Sequence, residues 1–390
     1  MRVLYDSQTV ITQSMGGVSR YFVNLMEDMD ARGVHVECLL PEVESLQKSG
    51  NVYAKSHESF FLPPSMVWRL LMQIARIFPA RISDWVHRKI WRGRQQFCRA
   101  DVVHAGQFVV IQGGLLVHKN LVTTVHDMIH ENYFLKLPEV QPFQARYSFI
   151  KHEYVRRSKH IIAISHFTKK ELMRIWDVPE DKITVVHHAN PFENVQIPPR
   201  QEGGVPYVLY VGTRVHYKNF PLFVQAVAPI LKEKEALRVV CTGNQSLSAE
   251  ERELLQSEGV EARFDFVSVS DAELVQLYVD AELFCFPSRM EGFGLPILEA
   301  FSCGCPVCCA DATCFPEVAG EAACYFDPES AADMEAALRR VLDDRDYREC
   351  LISAGRQRAA LFTREKTAEA TLAVYRKCRT IMAPGIQTQH

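Results

Sequence analysis

The segment from Glu291 to Glu299 reads Glu-Gly-Phe-Gly-Leu-Pro-Ile-Leu-Glu and holds residue types suited to binding a polar ligand. It follows an apolar run at 283–287 that predicts a strand, and it leads into a helix predicted over 295–303. Glycines at this turn let main-chain N–H groups approach a ligand, and the start of a helix favours negative charge. A carboxylate can bind a pair of neighbouring hydroxyls, so two glutamates at this spacing suit two polyol groups of one ligand.

Both halves of the chain alternate short apolar runs with amphipathic segments. In the first half, strands are predicted at 3–5, 34–40, 101–104, 121–126, 160–164 and 183–187, and helices at 18–31 and 169–176. In the second half, strands are predicted at 207–211, 238–242, 263–267, 283–287, 306–310 and 323–326, and helices at 221–232, 249–257, 271–278, 295–303, 331–342 and twice within 345–382. This alternation is typical of parallel α/β sheets with both faces covered by helices.

A stretch rich in proline and glycine at 190–206 separates the two series and predicts a linker. With 390 residues the chain is too long for one ordinary core. We therefore expect two doubly wound, Rossmann-like domains, at 1–190 and 205–363, facing across a cleft. Ligands of such sheets bind beyond the carboxyl ends of the strands.

The composition narrows the class of protein. Lys and Arg total 44 against 47 Asp and Glu, a net charge of -3, which argues against a nucleic-acid binder with a strongly basic surface. The twelve cysteines often lie inside apolar runs, which favours reduced core thiols in a cytoplasmic protein over a disulfide scaffold or a zinc site.

The first residues predict a strand rather than a signal peptide, and no run reaches 18 apolar residues. The pairs Asp28-Met29-Asp30 and Asp344-Arg345-Asp346 have metal-ligand spacing but lie in charged helical contexts, so we expect no metal there.

The stretch at 68–97 departs from the alternation, because it mixes many basic residues with tryptophans and aliphatic residues. One interpretation is a basic amphipathic helix that lies on an anionic membrane surface. The other is a solvated basic face on a packed pair of helices. The residues favour neither, so peripheral contact with the inner face of the cytoplasmic membrane stays open.

The segment 291–299 resembles the Glu-x7-Glu motif of the retaining GT-B glycosyltransferases of family 4. Other stretches resemble that family in the same order and cover nearly the whole chain, namely Gly16-Gly17-Val18, Val125-His126-Asp127, Ala163 to Phe167, Val211 to Asn219, Phe315 to Val318 with Gly320, and Phe326-Asp327-Pro328. The resemblance implies a GT-B fold, in which the last helix, at about 364–390, crosses back to the first domain. The chain departs from the family at 187–190, where His-His-Ala-Asn replaces an Asn-Gly-hydrophobic-Asp turn.

The resemblance also implies roles for individual residues. Four residues have implied roles at the reacting groups. Arg214 and Lys218 would clamp the donor diphosphate. Glu291 would hold sugar hydroxyls, and His126 would line the sugar pocket. Those implied only in donor binding are the main chain of Gly17, Phe293, Gly294 and Leu295, the main chain near Val267 for the base, and the Glu299 carboxylate for the ribose. Without these motifs, the simplest interpretation of Arg214 and Lys218 is two ordinary basic residues in a surface loop. The simplest interpretation of His126 is a histidine at a strand end whose hydrogen bonds are made within the protein.

A sugar nucleotide is the donor that this family uses. Its favoured mechanism is front-face substitution, so no side chain need be a nucleophile and no metal is required. The pattern from Thr213 to Phe220 looks like bacterial mannosyltransferases of lipopolysaccharide and capsule synthesis, which favours GDP-mannose and a glycan or lipid-linked acceptor. A UDP-sugar donor is the alternative. A catalytically silent sugar-nucleotide-binding protein and a nicotinamide-dependent oxidoreductase carry less weight, the latter because the chain has only Gly16-Gly17 after its first strand.

Overall fold

The computed structural model describes residues 1–6, 17–39, 61–62, 100–106, 118–243 and 246–379. The basic stretch at 68–97 and Gly16 lie outside these ranges. The chain divides into two compact units, one formed by Met1–His188 with Arg364–His390 and the other by Ala189–Thr363. Each unit has its own sheet, in which all the strand pairs are parallel.

The first unit has its sheet in the order β3-β2-β1-β4-β5-β6-β7. Its strands are β1 (Arg2–Asp6), β2 (His35–Leu39), β3 (Phe61–Leu62), β4 (Val102–Ala105), β5 (Leu121–Val125), β6 (His160–Ala163) and β7 (Ile183–Val185). Its helices before the linker are α1 (Gly17–Ala31), α2 (Ile129–Asn132), α3 (Pro142–Arg157) and α4 (His166–Trp176). All the residues of β4, β5 and β6 are buried, which explains why these strands consist mainly of apolar residues.

The second unit has its sheet in the order β10-β9-β8-β11-β12-β13. Its strands are β8 (Tyr207–Tyr210), β9 (Arg238–Thr242), β10 (Phe264–Val267), β11 (Leu283–Phe286), β12 (Val307–Ala310) and β13 (Ala323–Phe326). Its helices are α5 (Phe220–Glu233), α6 (Ala249–Ser257), α7 (Asp271–Asp280), α8 (Leu295–Ser302), α9 (Phe315–Ala319), α10 (Ala331–Asp343) and α11 (Arg345–Ala359). Because β8 pairs with both β9 and β11, the winding of the sheet reverses between β8 and β11. Such a reversal is the usual ligand position of a doubly wound sheet.

The last helix, α12 (Arg364–Arg379), belongs to the first unit, as the family resemblance implies. It packs against α1, and the Arg364 guanidinium contacts the carboxylates of Glu27 and Asp28 at 2.7 and 2.9 Å. The buried Tyr375 hydroxyl lies 2.9 Å from the hydroxyl of Tyr5 in β1. The first carboxylate of the Asp28-Met29-Asp30 pair therefore takes part in an ion pair that anchors α12.

The Rossmann-like α/β class predicted from the sequence is confirmed, and most strands end within a residue or two of the predicted positions. Helix α3 was not predicted. Its buried positions include Ser148 and Lys151 beside Ile150, Tyr154 and Val155, so its inner face lacks a clean apolar stripe. The predicted core thiols at 303, 305, 308, 309 and 314 are all buried free cysteines.

Candidate functional site

Two loops meet where the second sheet reverses. One follows β8 and contains Lys218, and the other follows β11 and contains Glu291. They are joined by a main-chain hydrogen bond from Arg289 N to the Tyr217 carbonyl at 2.8 Å. Both loops leave the carboxyl ends of neighbouring parallel strands, so this edge is where a ligand of such a sheet is expected.

The Lys218 ammonium donates to the Glu291 carboxylate across this junction, with Nζ and Oε1 2.5 Å apart. The two side chains are 16% and 13% exposed, so the ion pair is shielded from water but still reachable. The ammonium also lies 5.4 Å from the ring centroid of Phe286, the last residue of β11. An ammonium has three N–H donors, and the contact with Glu291 uses one of them.

The start of α8 lies in the same loop as Glu291. Gly294 caps the helix with φ +97°, a conformation that favours glycine, and a Cβ there would lie 3.1 Å from the ring of Phe315. Phe293 is buried, and Pro296 stands in the first turn, a position where a missing N–H costs little. Glycine is therefore required for the chain to turn into α8, and the turn brings the first main-chain N–H groups of the helix to the ligand edge of the sheet.

Glu299 lies further along α8 and is 9% exposed. Its carboxylate accepts a hydrogen bond of 3.0 Å from the hydroxyl of Tyr278, a fully buried residue of α7. Burial, together with the neighbouring Glu299 carboxylate, raises the pKa of Tyr278 well above its ordinary value, so the phenol remains a donor. Tyr278 thus holds the Glu299 carboxylate in place.

Arg214 has a different set of contacts from Lys218. Its Nε donates to the Glu251 carboxylate at 2.9 Å, and its Nη2 donates to the Ser246 carbonyl at 2.7 Å. The guanidinium lies 4.8 Å from the ring centroid of Phe266 in β10, and the side chain is 2% exposed. These contacts lie toward β9 and β10, whereas those of Lys218 lie toward β11. The structure brings Lys218 and Glu291 into direct contact and places Arg214 on the other side of β8.

The predicted base contact, Val267, is the half-buried last residue of β10. It follows Phe266 directly, so it stands at the same sheet edge as the ring over which Arg214 lies. Gly243, which follows β9, has φ +108°, and a Cβ there would come within 2.5 Å of the Gly212 carbonyl oxygen. Glycine is thus required where the loops after β8 and β9 approach each other.

The predicted sugar-pocket residue His126 directly follows β5 in the first unit. Its ring stacks on His188 with centroids 5.4 Å apart and meets Tyr21 edge to face at 5.6 Å. Burial lowers the pKa of His126 to about 4, so the imidazole is neutral near pH 7. Gly17, predicted to contact phosphate through its N–H, is the exposed first residue of α1.

Two residues of this site were not identified from the sequence, Glu251 and Tyr278. Glu251 had a readable local signal, since Ser248-Ala-Glu-Glu251 matches the capping-box pattern that begins a helix. That pattern predicts the cap but not the arginine that the carboxylate contacts. Tyr278 had no signal, because an aromatic residue within an amphipathic helix is most simply a core residue.

Among the residues that the structure describes, no helix is long and apolar enough to cross a membrane. The membrane contact considered for 68–97 concerns residues outside that part of the chain.

Comparison with known families gives a match for each half of the chain. Residues 15–189 match the model described as Glycosyltransferase Family 4, and residues 193–358 match the model described as Glycosyl transferases group 1. The two matched ranges meet at the boundary between the two compact units. Together they include each predicted site residue.

Named relatives and solved structures agree with these matches. The chain is 25% identical to the O-antigen chain mannosyltransferase B of Escherichia coli over 96% of this chain and 100% of the relative. It is 27% identical to the O-antigen chain mannosyltransferase RfbU of Salmonella typhimurium over 57% of this chain and 65% of the relative. The fold is similar to that of Anabaena Alr3699/HepE in complex with UDP and glucose, with a TM-score of 0.69, 14% identity, and coverage of 97% of this chain and 100% of that one.

Proposed function

The chain belongs to the GT-B glycosyltransferases of family 4, and on that premise we propose that it is a retaining mannosyltransferase. The donor would be GDP-mannose, and the acceptor a hydroxyl of a glycan or lipid-linked glycan in cell-surface polysaccharide synthesis. The observation that carries the proposal is the Lys218–Glu291 ion pair at the reversal of the second sheet, next to the start of α8. The names of the two O-antigen mannosyltransferases support mannose as the sugar.

The leaving group dictates what the second unit must supply. Departure of a nucleoside diphosphate builds negative charge on the phosphate oxygens, and preorganised cations and N–H groups act where that charge develops. Lys218 brings one cation to the sheet edge, Arg214 brings a second on the other side of β8, and α8 brings its N-terminal N–H groups. With two cations in these places, we propose that no divalent metal is needed, and full activity in the presence of EDTA would support this.

The two glutamates are proposed to hold the donor and not to transfer protons. Glu291 accepts a hydrogen bond from the Lys218 ammonium, and Glu299 accepts one from the Tyr278 hydroxyl, so both side chains already serve as hydrogen-bond acceptors. Glu291 would accept from sugar hydroxyls and Glu299 from ribose hydroxyls. In front-face substitution the departing phosphate takes the proton of the incoming hydroxyl, and the new bond forms on the face that the leaving group vacates.

For the first unit we propose the roles that the family resemblance implies. His126 would contact the transferred sugar, and the Gly17 N–H would contact phosphate. Because the pKa of His126 is about 4, the ring would act as a neutral hydrogen-bonding group. Its loss would lower turnover without changing the pH dependence near neutrality.

A UDP-sugar is the competing donor, and the solved Anabaena relative holds UDP and glucose. Incubation with a panel of GDP- and UDP-sugars, with and without lipid-linked glycans, and with nucleoside diphosphate release as the readout, separates the two. We expect GDP release from GDP-mannose that rises with acceptor. Turnover of UDP-sugars alone would reject the mannose assignment.

Whether the sugar keeps its anomeric configuration is tested on the product of that reaction. The one-bond coupling between the anomeric carbon and its hydrogen, measured by NMR, reports the configuration, and we expect the α configuration of the donor to be kept. A β-linked product would contradict the mechanism.

The proposed site is tested by substitution. Arg214→Ala and Glu291→Ala should both lose turnover. Arg339→Ala is the control, because Arg339 forms ion pairs with Glu233 and Glu335 elsewhere in the same unit.

A further inference from the structure

Glu251 uses its one carboxylate for two kinds of contact. As the third residue of α6 it completes a capping box with Ser248, in which Oε2 accepts from Ser248 N at 2.8 Å and Ser248 Oγ accepts from Glu251 N at 3.1 Å. The other oxygen, Oε1, accepts from Arg214 Nε at 2.9 Å. The capping box orients the carboxylate, so the arginine meets a fixed acceptor.

The Arg214 guanidinium is held from several directions. Besides Glu251 at Nε, the Ser246 carbonyl accepts from Nη2 at 2.7 Å. The Cζ atom lies 4.8 Å from the ring centroid of Phe266 and 5.5 Å from that of Phe220. A planar guanidinium with these hydrogen bonds and aromatic neighbours has little freedom to rotate.

Burial makes the carboxylate necessary. The Arg214 side chain is 2% exposed, and a buried guanidinium without a counter-charge would carry a large desolvation cost. A flexible arginine would also have to be ordered each time a phosphate bound. A guanidinium that is already oriented stabilises developing charge without that reorganisation.

We propose that Glu251 is a positioning residue for the transfer reaction, which fixes the Arg214 guanidinium for the donor diphosphate. The inference rests on the proposed function, because it takes Arg214 to be a diphosphate contact. Glu251 would act through Arg214 alone and would not touch the donor.

The chain offers a matched control for the capping role. Glu273 is the third residue of α7, where it forms the same capping box with Ser270, accepting from Ser270 N at 2.7 Å. Glu273→Ala therefore breaks a capping box of the same type in the same unit. Any effect of Glu251→Ala beyond that of Glu273→Ala measures the contact with Arg214.

The experiment compares Glu251→Ala, Glu251→Gln, Glu273→Ala, Arg214→Ala and the double variant Arg214→Ala/Glu251→Ala in the full-length protein. The readouts are kcat/KM for the donor, KM for the acceptor, and the Kd of GDP by calorimetry. Because misplacement of a binding group by about 1 Å can cost about 100-fold in rate, we expect Glu251→Ala to lower donor kcat/KM by about 10- to 100-fold. The acceptor KM should stay within about twofold.

Two further results are expected if Glu251 acts through Arg214. Glu251→Gln keeps one acceptor oxygen, which can serve either Ser248 N or Arg214 Nε but not both, so its loss should be smaller than that of Glu251→Ala. In the Arg214→Ala background, Glu251→Ala should have no further effect on donor kcat/KM. Glu273→Ala should resemble the wild type in each kinetic readout.

Different outcomes would refute the role of Glu251, the role of Arg214 and the proposed function. The inference fails if Glu251→Ala behaves like Glu273→Ala while Arg214→Ala is impaired, or if Glu251→Ala binds GDP more tightly, which would mean that Glu251 competes with the donor. A wild-type protein that neither binds GDP nor uses a nucleotide sugar refutes the proposed function itself. Unchanged donor use by Arg214→Ala refutes the role of Arg214, and the role of Glu251 with it.

Discussion

Substitution of Lys218 by methionine tests the proposed role of its ammonium at the donor diphosphate. Methionine has nearly the length of lysine without the charge, and the ammonium that it removes lies 2.5 Å from Glu291 Oε1. Loss of one preorganised group that stabilises developing charge costs about 10²- to 10³-fold in kcat, or about 2.7–4 kcal/mol. We expect a loss of that size for transfer from the donor.

The same substitution has a second effect, on stability. It leaves the Glu291 carboxylate 13% exposed without its ammonium, and an unsatisfied polar group of this kind costs about 1–3 kcal/mol. The value should fall near the lower end, because both side chains keep some contact with water. Glu291→Gln in the Lys218→Met background removes the unpaired charge, so it should restore most of the stability and none of the turnover.

The assay is nucleoside diphosphate release under saturating and limiting donor, together with urea unfolding of each variant. Lys234→Met is the matched control, because Lys234 forms a 2.6 Å ion pair with Asp343 at the surface of the same unit. The reasoning is refuted if Lys218→Met retains wild-type turnover, or if it loses no more than Lys234→Met does. Recovery of turnover in the double variant would also refute it, because the loss would then come from Glu291 alone.

Three further predictions concern other groups. Lys151→Met leaves Glu131 buried without its cation, 2.7 Å away in the wild type, and should destabilise the first unit by about 3–5 kcal/mol in urea unfolding; a loss under about 1 kcal/mol would contradict this. Burial lowers the pKa of His104 to about 3, so the unfolded chain binds the extra proton as pH falls below about 6.5. His104 should contribute up to about 1.4 kcal/mol per pH unit to the loss of stability from there toward pH 3, and His104→Gln should remove that contribution. Tyr278→Phe removes the 3.0 Å hydrogen bond to Glu299 and should raise the donor KM about 10-fold with little change in kcat, whereas an unchanged KM would contradict a ribose role for Glu299.

The sequence was sufficient to predict the described strands other than β3, because the central strands of both sheets are buried. Strands such as β11 and β12 are apolar throughout, and such runs can be recognised without knowledge of the fold. Helix α3 was missed because its buried face includes Lys151, which reads as a solvent-exposed residue until its partner Glu131 is known. Local patterns therefore indicated where the elements lie, but not which polar groups are paired inside them.

The candidate site also combines a feature that the sequence predicts with contacts that it does not predict. The glycine turn into α8 could be predicted because Gly294 needs a positive φ, a local property of the chain. The Arg214–Glu251 and Tyr278–Glu299 contacts could not, because each joins residues from elements that are separate in the sequence. The family resemblance implied a shared role for Arg214 and Lys218 at the donor diphosphate, but it did not indicate which residues each would contact. In the structure the contacts of Arg214 lie toward β9 and β10, and those of Lys218 lie toward β11.

Calorimetric titration of GDP-mannose into the wild-type protein and Lys218→Met, with Lys234→Met as the control, tests most directly whether the second unit holds a sugar nucleotide at the reversal of its sheet. We predict binding by the wild type and by Lys234→Met, with at least about 10-fold weaker binding by Lys218→Met, the loss expected for one charge-assisted contact. Equal affinity in all three proteins, or no binding of any nucleotide sugar by the wild type, would contradict the proposed site.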